Sequence, residues 1–186
     1  FFMGAWITHN GFLANALTQG KEIDPVLAGL VASSLSVSLI IGSVLGPVVF
    51  YYIGNMKLFI TPIGILAGIC SYLAWIFPYG LQTWVFLIIT GLLLGAGPPV
   101  LQSLPMMLPQ IGPLYAGSAG GVISTFQMAG AFFISSYVIM PLAGKDVDKV
   151  FFFITIGYLI FALIPLLMPK ITIDKRQQSR GHRPVA

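Results

Sequence analysis

The stretch GLLLGAGPPVLQSLPMMLPQ, residues 91–110, combines a strongly apolar composition with four prolines and three glycines. An interior proline removes a backbone hydrogen-bond donor and clashes with the preceding turn, at about 3 kcal/mol in an ordinary helix. Inside a bilayer such residues are tolerated where neighbouring helices or cavity water satisfy the freed carbonyl groups. The stretch therefore predicts a bent helix that lines a cavity within a membrane protein.

The composition of the whole chain agrees with a lipid environment. Hydrophobic residues make up 57% of the 186 residues and charged residues only 8%, whereas a soluble domain has about 25% charged residues. The net charge of +4 is not arranged as a basic face with interleaved aromatic residues, which argues against a nucleic-acid partner. Cys70 is the only cysteine, so an internal disulfide and a cysteine-based metal cluster are excluded. We expect no metal and no cofactor.

Six segments approach the roughly 20 apolar residues that a membrane-spanning helix needs. They are residues 2–18, 25–53, 57–77, 83–111, 115–143 and 150–169. We therefore predict an all-α membrane protein with a six-helix bundle over residues 1–170. Residues 171–186 form a basic tail, which we expect to be cytoplasmic and disordered.

The distribution of Lys and Arg predicts the orientation of the spans. The tail, from Lys170 onward, holds five basic residues against one acid, Asp174. Basic residues favour the cytoplasmic side, and an even number of spans brings the beginning of the chain to the same side. We expect an integral protein of a bacterial plasma membrane with both ends of this chain in the cytoplasm.

Polar residues are unevenly divided among the six spans. Ser, Thr, Asn, Gln and His are frequent in the first, second, fourth and fifth spans, whereas the third has Thr61 and Ser71 and the sixth only Thr155. Polar side chains avoid lipid, so we expect the four polar spans to surround a cavity and the other two to face lipid. Three spans followed by three similar ones are necessarily inverted. This inverted three-plus-three repeat is a plan of secondary transporters.

Four features together resemble the C-terminal six-helix half of a major facilitator superfamily transporter. They are the polarity pattern, the proline-rich fourth span, the short link YYIGNMK at 51–57 and the stretch AGSAGGVISTFQMAG at 116–130. The last stretch is similar to the eleventh helix of the branch that holds cyanate, nitroimidazole and nitrate-type permeases. One departure concerns the family's charged loop G-x-x-x-D-R-x-G-R-R, whose Asp and Arg positions fall here on Tyr51 and Tyr52.

The resemblance implies a secondary active transporter, or permease, that moves a small solute across the membrane by alternating access. A missing N-terminal six-helix half of the same protein would be the partner, because the opening Phe1-Phe2-Met3 looks like a cut within a longer chain. An organic or inorganic anion is one candidate solute class. The alternative is a half-size channel or scaffold that acts as a homodimer. An enzyme is disfavoured, since the chain has no G-x-S-G and no H-E-x-x-H motif.

Polar side chains in the polar-rich spans are the candidate contacts for a solute. His9 could bind solute or carry a proton, and Ser124 and Gln127 share one helical face because they stand three residues apart. For each candidate the alternative is a structural hydrogen bond or close helix packing. The full set is His9, Asn10, Ser34, Gln102, Ser124 and Gln127.

Glycine and proline residues are the candidate hinges. They are Gly11 in the first span and Gly97, Pro98, Pro99 and Pro105 in the fourth. Broken helices near the middle of the membrane often form solute sites in transporters. The alternative is that these prolines only fix static kinks.

Overall fold

The computed structural model describes residues 2–107, 112–144 and 146–167, and these ranges contain helices and no β-strand. The predicted tail, 171–186, lies outside the described residues. The fifth predicted span consists of a helix Gly112–Phe133, a π-helical segment Ile134–Ile139 and a short helix Met140–Ala143. The helices are α1 Phe2–Gly20, α2 Pro25–Ile53, α3 Met56–Ile76, α4 Leu81–Met107, α5 Gly112–Phe133, α6 Met140–Ala143 and α7 Val147–Leu167.

Five helical segments are long and apolar enough to cross a membrane, which identifies the chain as an integral membrane protein by length and composition. They are Pro25–Ile53, Met56–Ile76, Leu81–Pro105, Gly117–Ala143 and Val147–Leu167. These segments correspond to the second to sixth predicted spans. The first predicted span, α1, is not among them. It has 19 residues, and polar residues such as Thr8, Asn10 and Asn15 lower its hydropathy.

The turn between α2 and α3 explains how two long helices can follow each other so closely. Gly54 adopts a left-handed conformation, with φ 66°, and its N–H donates to the Phe50 carbonyl. The next residue, Asn55, begins α3, because its side-chain oxygen accepts from the Lys57 N–H at 3.0 Å. A glycine C-cap followed directly by an asparagine N-cap reverses the chain within two residues.

The prolines do not interrupt the fourth helix. α4 is helical from Leu81 to Met107, through Pro98, Pro99 and Pro105. Each proline removes one backbone donor, and packing of α4 against α2 and α3 holds the helix together. α1 likewise continues without a break through Asn10 and Gly11.

The helices pack in a defined set of neighbouring pairs. α4 packs on α2, α3 and α5, and α7 packs on α1 and α3. α1 also packs on α2, α5 and the π-helical segment, while short contacts join α2 to α3 and α6 to α7.

The closest approach is the crossing of α2 and α4. A Cβ on Gly42 would overlap the Leu92 carbonyl oxygen, and a Cβ on Gly95 would overlap the Leu39 carbonyl oxygen. Glycines allow helix backbones to meet in this way. The crossing of α1 with the fifth span uses the same device, because a Cβ on Gly4 would stand 2.5 Å from Ile134 Cβ and 2.9 Å from the Gly130 oxygen.

Burial within the chain differs from the expectation based on polarity. Half of the most apolar window of α3 is buried, against 11% of the corresponding window in the fifth span. α3 and α7 are covered because they pack on each other, with Gly64 against Ala162. α2 and the fifth span, which are rich in serine, are the least covered. Many of the polar side chains of these two spans therefore lie on the surface of this bundle and not in its interior.

Candidate functional site

A hydrogen-bonded contact between α1 and α2 brings one predicted residue to the surface of the bundle. Asn10 is half-buried, and its Nδ2 donates to the Trp6 carbonyl at 3.3 Å. The exposed Ser36 hydroxyl lies 3.3 Å from the Ala32 carbonyl oxygen and 3.5 Å from Asn10 Oδ1, two long contacts that share its one proton. Gly11 beside it is exposed, and a Cβ there would meet no atom within 4 Å. This part of the surface therefore offers polar groups and open space together.

Ser36, and not the predicted Ser34, is the α2 serine at this contact. The half-buried Ser34 hydroxyl donates to the Val31 carbonyl at 2.7 Å. The two residues are separated by roughly 200° around the helix axis, since each residue advances about 100°. Both serines are in the same polar run, so the sequence carries no signal that distinguishes them.

His9 points to the interior, toward α7, while its neighbour Asn10 contacts α2. The imidazole is fully buried, and its Nδ1 lies 3.1 Å from the Tyr158 hydroxyl. The imidazole and the Phe151 ring form a T-shaped pair, with centroids 5.7 Å apart and planes at 86°. Nε2 is buried and has no partner among the described residues. The predicted polar pair of the first span is thus divided between two sides of α1.

A second polar contact joins α1 to the π-helical segment of the fifth span. The Thr8 hydroxyl lies 2.8 Å from the Gly4 carbonyl and 2.9 Å from the Ser135 hydroxyl. Thr8 is buried and Ser135 is half-buried. The π-helical segment is closed by the Met140 N–H, which donates to the Ser135 carbonyl five residues earlier. Such segments are rare and are frequent at functional positions in helices. The sequence pattern did not single out Thr8 or Ser135.

The predicted amides are available for an external partner. Gln102 is exposed and Gln127 is half-buried, and neither side chain has a hydrogen-bond partner among the described residues. Ser124 is exposed on the same helix as Gln127. None of the three shares a hydrogen bond with Asn10 or Ser36 in the described part of the chain. An amide offers two donors and an acceptor, so these groups can recognise an uncharged or polar group brought against the bundle.

The predicted hinge residues of α4 differ in their surroundings. Pro98 and Pro99 are half-buried and Pro105 is buried. Gly97 has loose surroundings, because the nearest atom to a Cβ there would be Phe161 Cζ at 3.9 Å.

Within the described residues no group of three or more His, Cys, Asp or Glu side chains is placed to hold a metal ion. The chain matches no protein-family model, no curated protein and no solved structure.

Proposed function

We propose that this chain is one six-helix half of a secondary transporter of the major facilitator type, built as an inverted three-plus-three repeat. The spans of this repeat are α1, α2 and α3, followed by α4, the fifth span and α7. The solute is small, and it binds between this half and a second, N-terminal half of the same protein. An organic or inorganic anion is one candidate class. The proposal includes α1 as a membrane span and both ends of the chain in the cytoplasm.

The helix pairing is the observation that carries this proposal. Consider an exchange of the first three spans with the last three, in which α1 changes places with α4, α2 with the fifth span and α3 with α7. The α2–α4 pair then becomes the pair of the fifth span with α1, and the α3–α4 pair becomes α7–α1. The α1–α2 pair becomes α4 with the fifth span, and the short α2–α3 contact becomes that of the fifth span with α7. The α3–α7 pair maps onto itself. Pairs of consecutive helices follow from short connections in any bundle, so the support comes from the α2–α4, α3–α4 and α3–α7 pairs, whose counterparts under the exchange are also present.

The glycines support the same relation. The two crossings that the exchange interchanges, α2 with α4 and α1 with the fifth span, both have a glycine backbone pressed against the opposite helix. Gly95 on α4 and Gly4 on α1 occupy corresponding spans. In transporters of this type, inverted three-helix units are nested within each six-helix half, and the two halves rock against each other.

The exposed polar groups support a second half as the partner. Asn10, Ser36 and Gln127 would be costly against lipid, yet this bundle leaves them at or near its surface. A second six-helix half would cover them and enclose water and solute. In the resulting mechanism, the amide and hydroxyl groups hold the solute by hydrogen bonds while the halves rock. The chain has no Asp, Glu, Lys or Arg between Pro25 and Ile53 or between Leu81 and Met107, so this half supplies neutral contacts. On this proposal the protein is not an enzyme.

Water accessibility tests the cavity without knowledge of the solute. In the full-length protein with Cys70→Ala, we expect a cysteine at Ser36 to react with a small hydrophilic thiol reagent, because thiolate chemistry requires water. The neighbouring Val37, 56% exposed in this chain, is the matched control, and a cysteine there faces lipid and stays unreacted. Equal protection of both positions from the reagent would contradict a water-filled cavity beside Ser36. Reactivity that persists in a purified homodimer of this chain alone would favour the half-size channel instead.

A further inference from the structure

The ends of three helices meet in a charged cleft on one face of the membrane. The Lys21 ammonium, just after α1, donates to the carbonyl oxygens of Phe77 at 2.6 Å and Ala74 at 3.2 Å, at the end of α3. The Trp75 indole N–H donates to Asp148 Oδ1 at 2.6 Å, in the first turn of α7. Together with Gly20, Tyr72 and Ile76, these side chains line a cleft of about 460 Å³.

The two opposite charges of the cleft, Lys21 and Asp148, interact electrostatically but form no ion pair within 4.0 Å in the described residues. The ion pair found within 4.0 Å in the described residues is Lys149 with Asp146, which does not line the cleft. Burial lowers the pKa of Lys21, and the nearby Asp148 carboxylate opposes that shift. The Lys21 Nζ also lies 5.1 Å from the centroid of the Trp75 ring. An ammonium has three donors, so beside this ring one N–H remains after the two carbonyl contacts. Asp148 keeps Oδ2. The cleft therefore offers one free donor of positive charge and one free acceptor of negative charge.

Aromatic residues place the cleft at the depth of the lipid headgroups. Two of the three tryptophans of the chain, Trp75 and Trp84, occur within ten residues of each other, beside Tyr72 and Tyr79. The Trp84 indole N–H donates to the Tyr79 hydroxyl at 3.4 Å. Tryptophan and tyrosine concentrate at the membrane–water interface because their rings are amphipathic. A ligand that matches both charges of the cleft and resides at this depth is a zwitterionic phospholipid, whose headgroup has a negative phosphate and a positive amine.

We propose that this cleft binds the phosphoethanolamine headgroup of a membrane phospholipid. The Lys21 ammonium contacts the phosphate, and the Asp148 carboxylate accepts hydrogen bonds from the primary amine. The Trp75 indole, which donates to Asp148, is held in place because its ring stacks on Phe151, with centroids 4.3 Å apart and planes 3° from parallel. A phosphocholine headgroup has no N–H to donate, so the carboxylate distinguishes the two zwitterions. The ligand thereby ties the ends of α1, α3 and α7 to the headgroup layer.

The test is competition between lipids in vesicles. The full chain is reconstituted in equal parts phosphatidylethanolamine, phosphatidylcholine and phosphatidylglycerol, extracted in mild detergent, and its retained lipid is quantified by mass spectrometry. We expect phosphatidylethanolamine to exceed phosphatidylcholine by about two- to fivefold, the range of an exposed ion pair. Asp148→Asn should abolish this preference, because asparagine keeps an acceptor for Trp75 but lacks the charge. Asp146→Asn, the matched control in the same loop, should keep it.

The phosphate contact has its own matched pair of variants. Lys21→Gln should reduce retention of both zwitterionic lipids, whereas Lys149→Gln should not. Lys21→Arg, with unchanged helical content, should restore retention, which separates lost charge from lost folding. Equal retention of the two zwitterionic lipids by the parent would overturn the proposal. So would preferential retention of phosphatidylglycerol, which would indicate a purely anionic site, or full displacement by free phosphoethanolamine, which would indicate a soluble ligand.

Discussion

Replacing Gly91 with alanine tests the close crossing of α2 and α4. The new Cβ would stand 2.5 Å from the Leu35 carbonyl oxygen and 2.8 Å from Ser38 Cβ, whereas ordinary contacts of a Cβ are 3.4–4 Å. The helices must therefore separate by about 1 Å at this point, and overpacking of this kind costs about 1–3 kcal/mol. Part of that cost is offset by the better helix propensity of alanine, about 0.5–1 kcal/mol. We expect Gly91→Ala to lower the free energy of unfolding.

Gly29 on α2 is the matched control, because a Cβ there would meet no atom within 4 Å. Gly29→Ala gains only the propensity term, so the same substitution should leave stability equal or raise it by up to about 1 kcal/mol. Both variants would be unfolded by titration with sodium dodecyl sulfate in mixed micelles, with helical content followed by circular dichroism. If Gly91→Ala is as stable as Gly29→Ala, the helices are not in backbone contact and the described crossing is wrong.

Three further substitutions have defined outcomes. On the proposed transport function, Gln127→Leu in the full-length protein should lower uptake per folded molecule, while Met128→Leu should not; equal uptake would contradict a role of the glutamine in the site. Tyr158→Phe should cost about 1–3 kcal/mol of stability, because the buried imidazole of α1 loses its hydroxyl partner; an unchanged unfolding titration would contradict that hydrogen bond. Pro98→Ala with Pro99→Ala should shift single-cysteine labelling toward one membrane side, and unchanged labelling with normal uptake would mean that these prolines have no hinge role.

The bounds of a membrane helix can be predicted where charged or capping residues flank its apolar sequence. The predicted second span, 25–53, has the bounds of α2, since Asp24 caps its start and Gly54 its end. The uninterrupted course of α4 was not predictable from its prolines alone. Whether a proline breaks a helix depends on the packing around it, and here α2 and α3 supply that packing.

The direction of each polar side chain was harder to predict than its span. His9 and Asn10 are adjacent, yet one contacts Tyr158 on α7 and the other contacts Ser36 on α2. In a soluble helix the apolar stripe fixes the rotation about the axis. A membrane helix is apolar on most sides, so its rotation depends on partner helices that the sequence does not identify. The cleft at Lys21 was not predictable for a related reason, because its side chains come from the ends of three helices that are far apart in the sequence.

The proposed repeat of three spans followed by three inverted spans is tested most directly by finding the side of the membrane on which three positions lie. Single cysteines at Phe1, Gly80 and Ser179, in Cys70→Ala, would be treated with a membrane-impermeant thiol reagent. We predict that Gly80 is labelled in intact cells, and that Phe1 and Ser179 are labelled only after lysis. Labelling of Phe1 in intact cells, with Gly80 also labelled, would mean that α1 does not span the membrane. The chain would then have five spans, and the inverted repeat would be wrong.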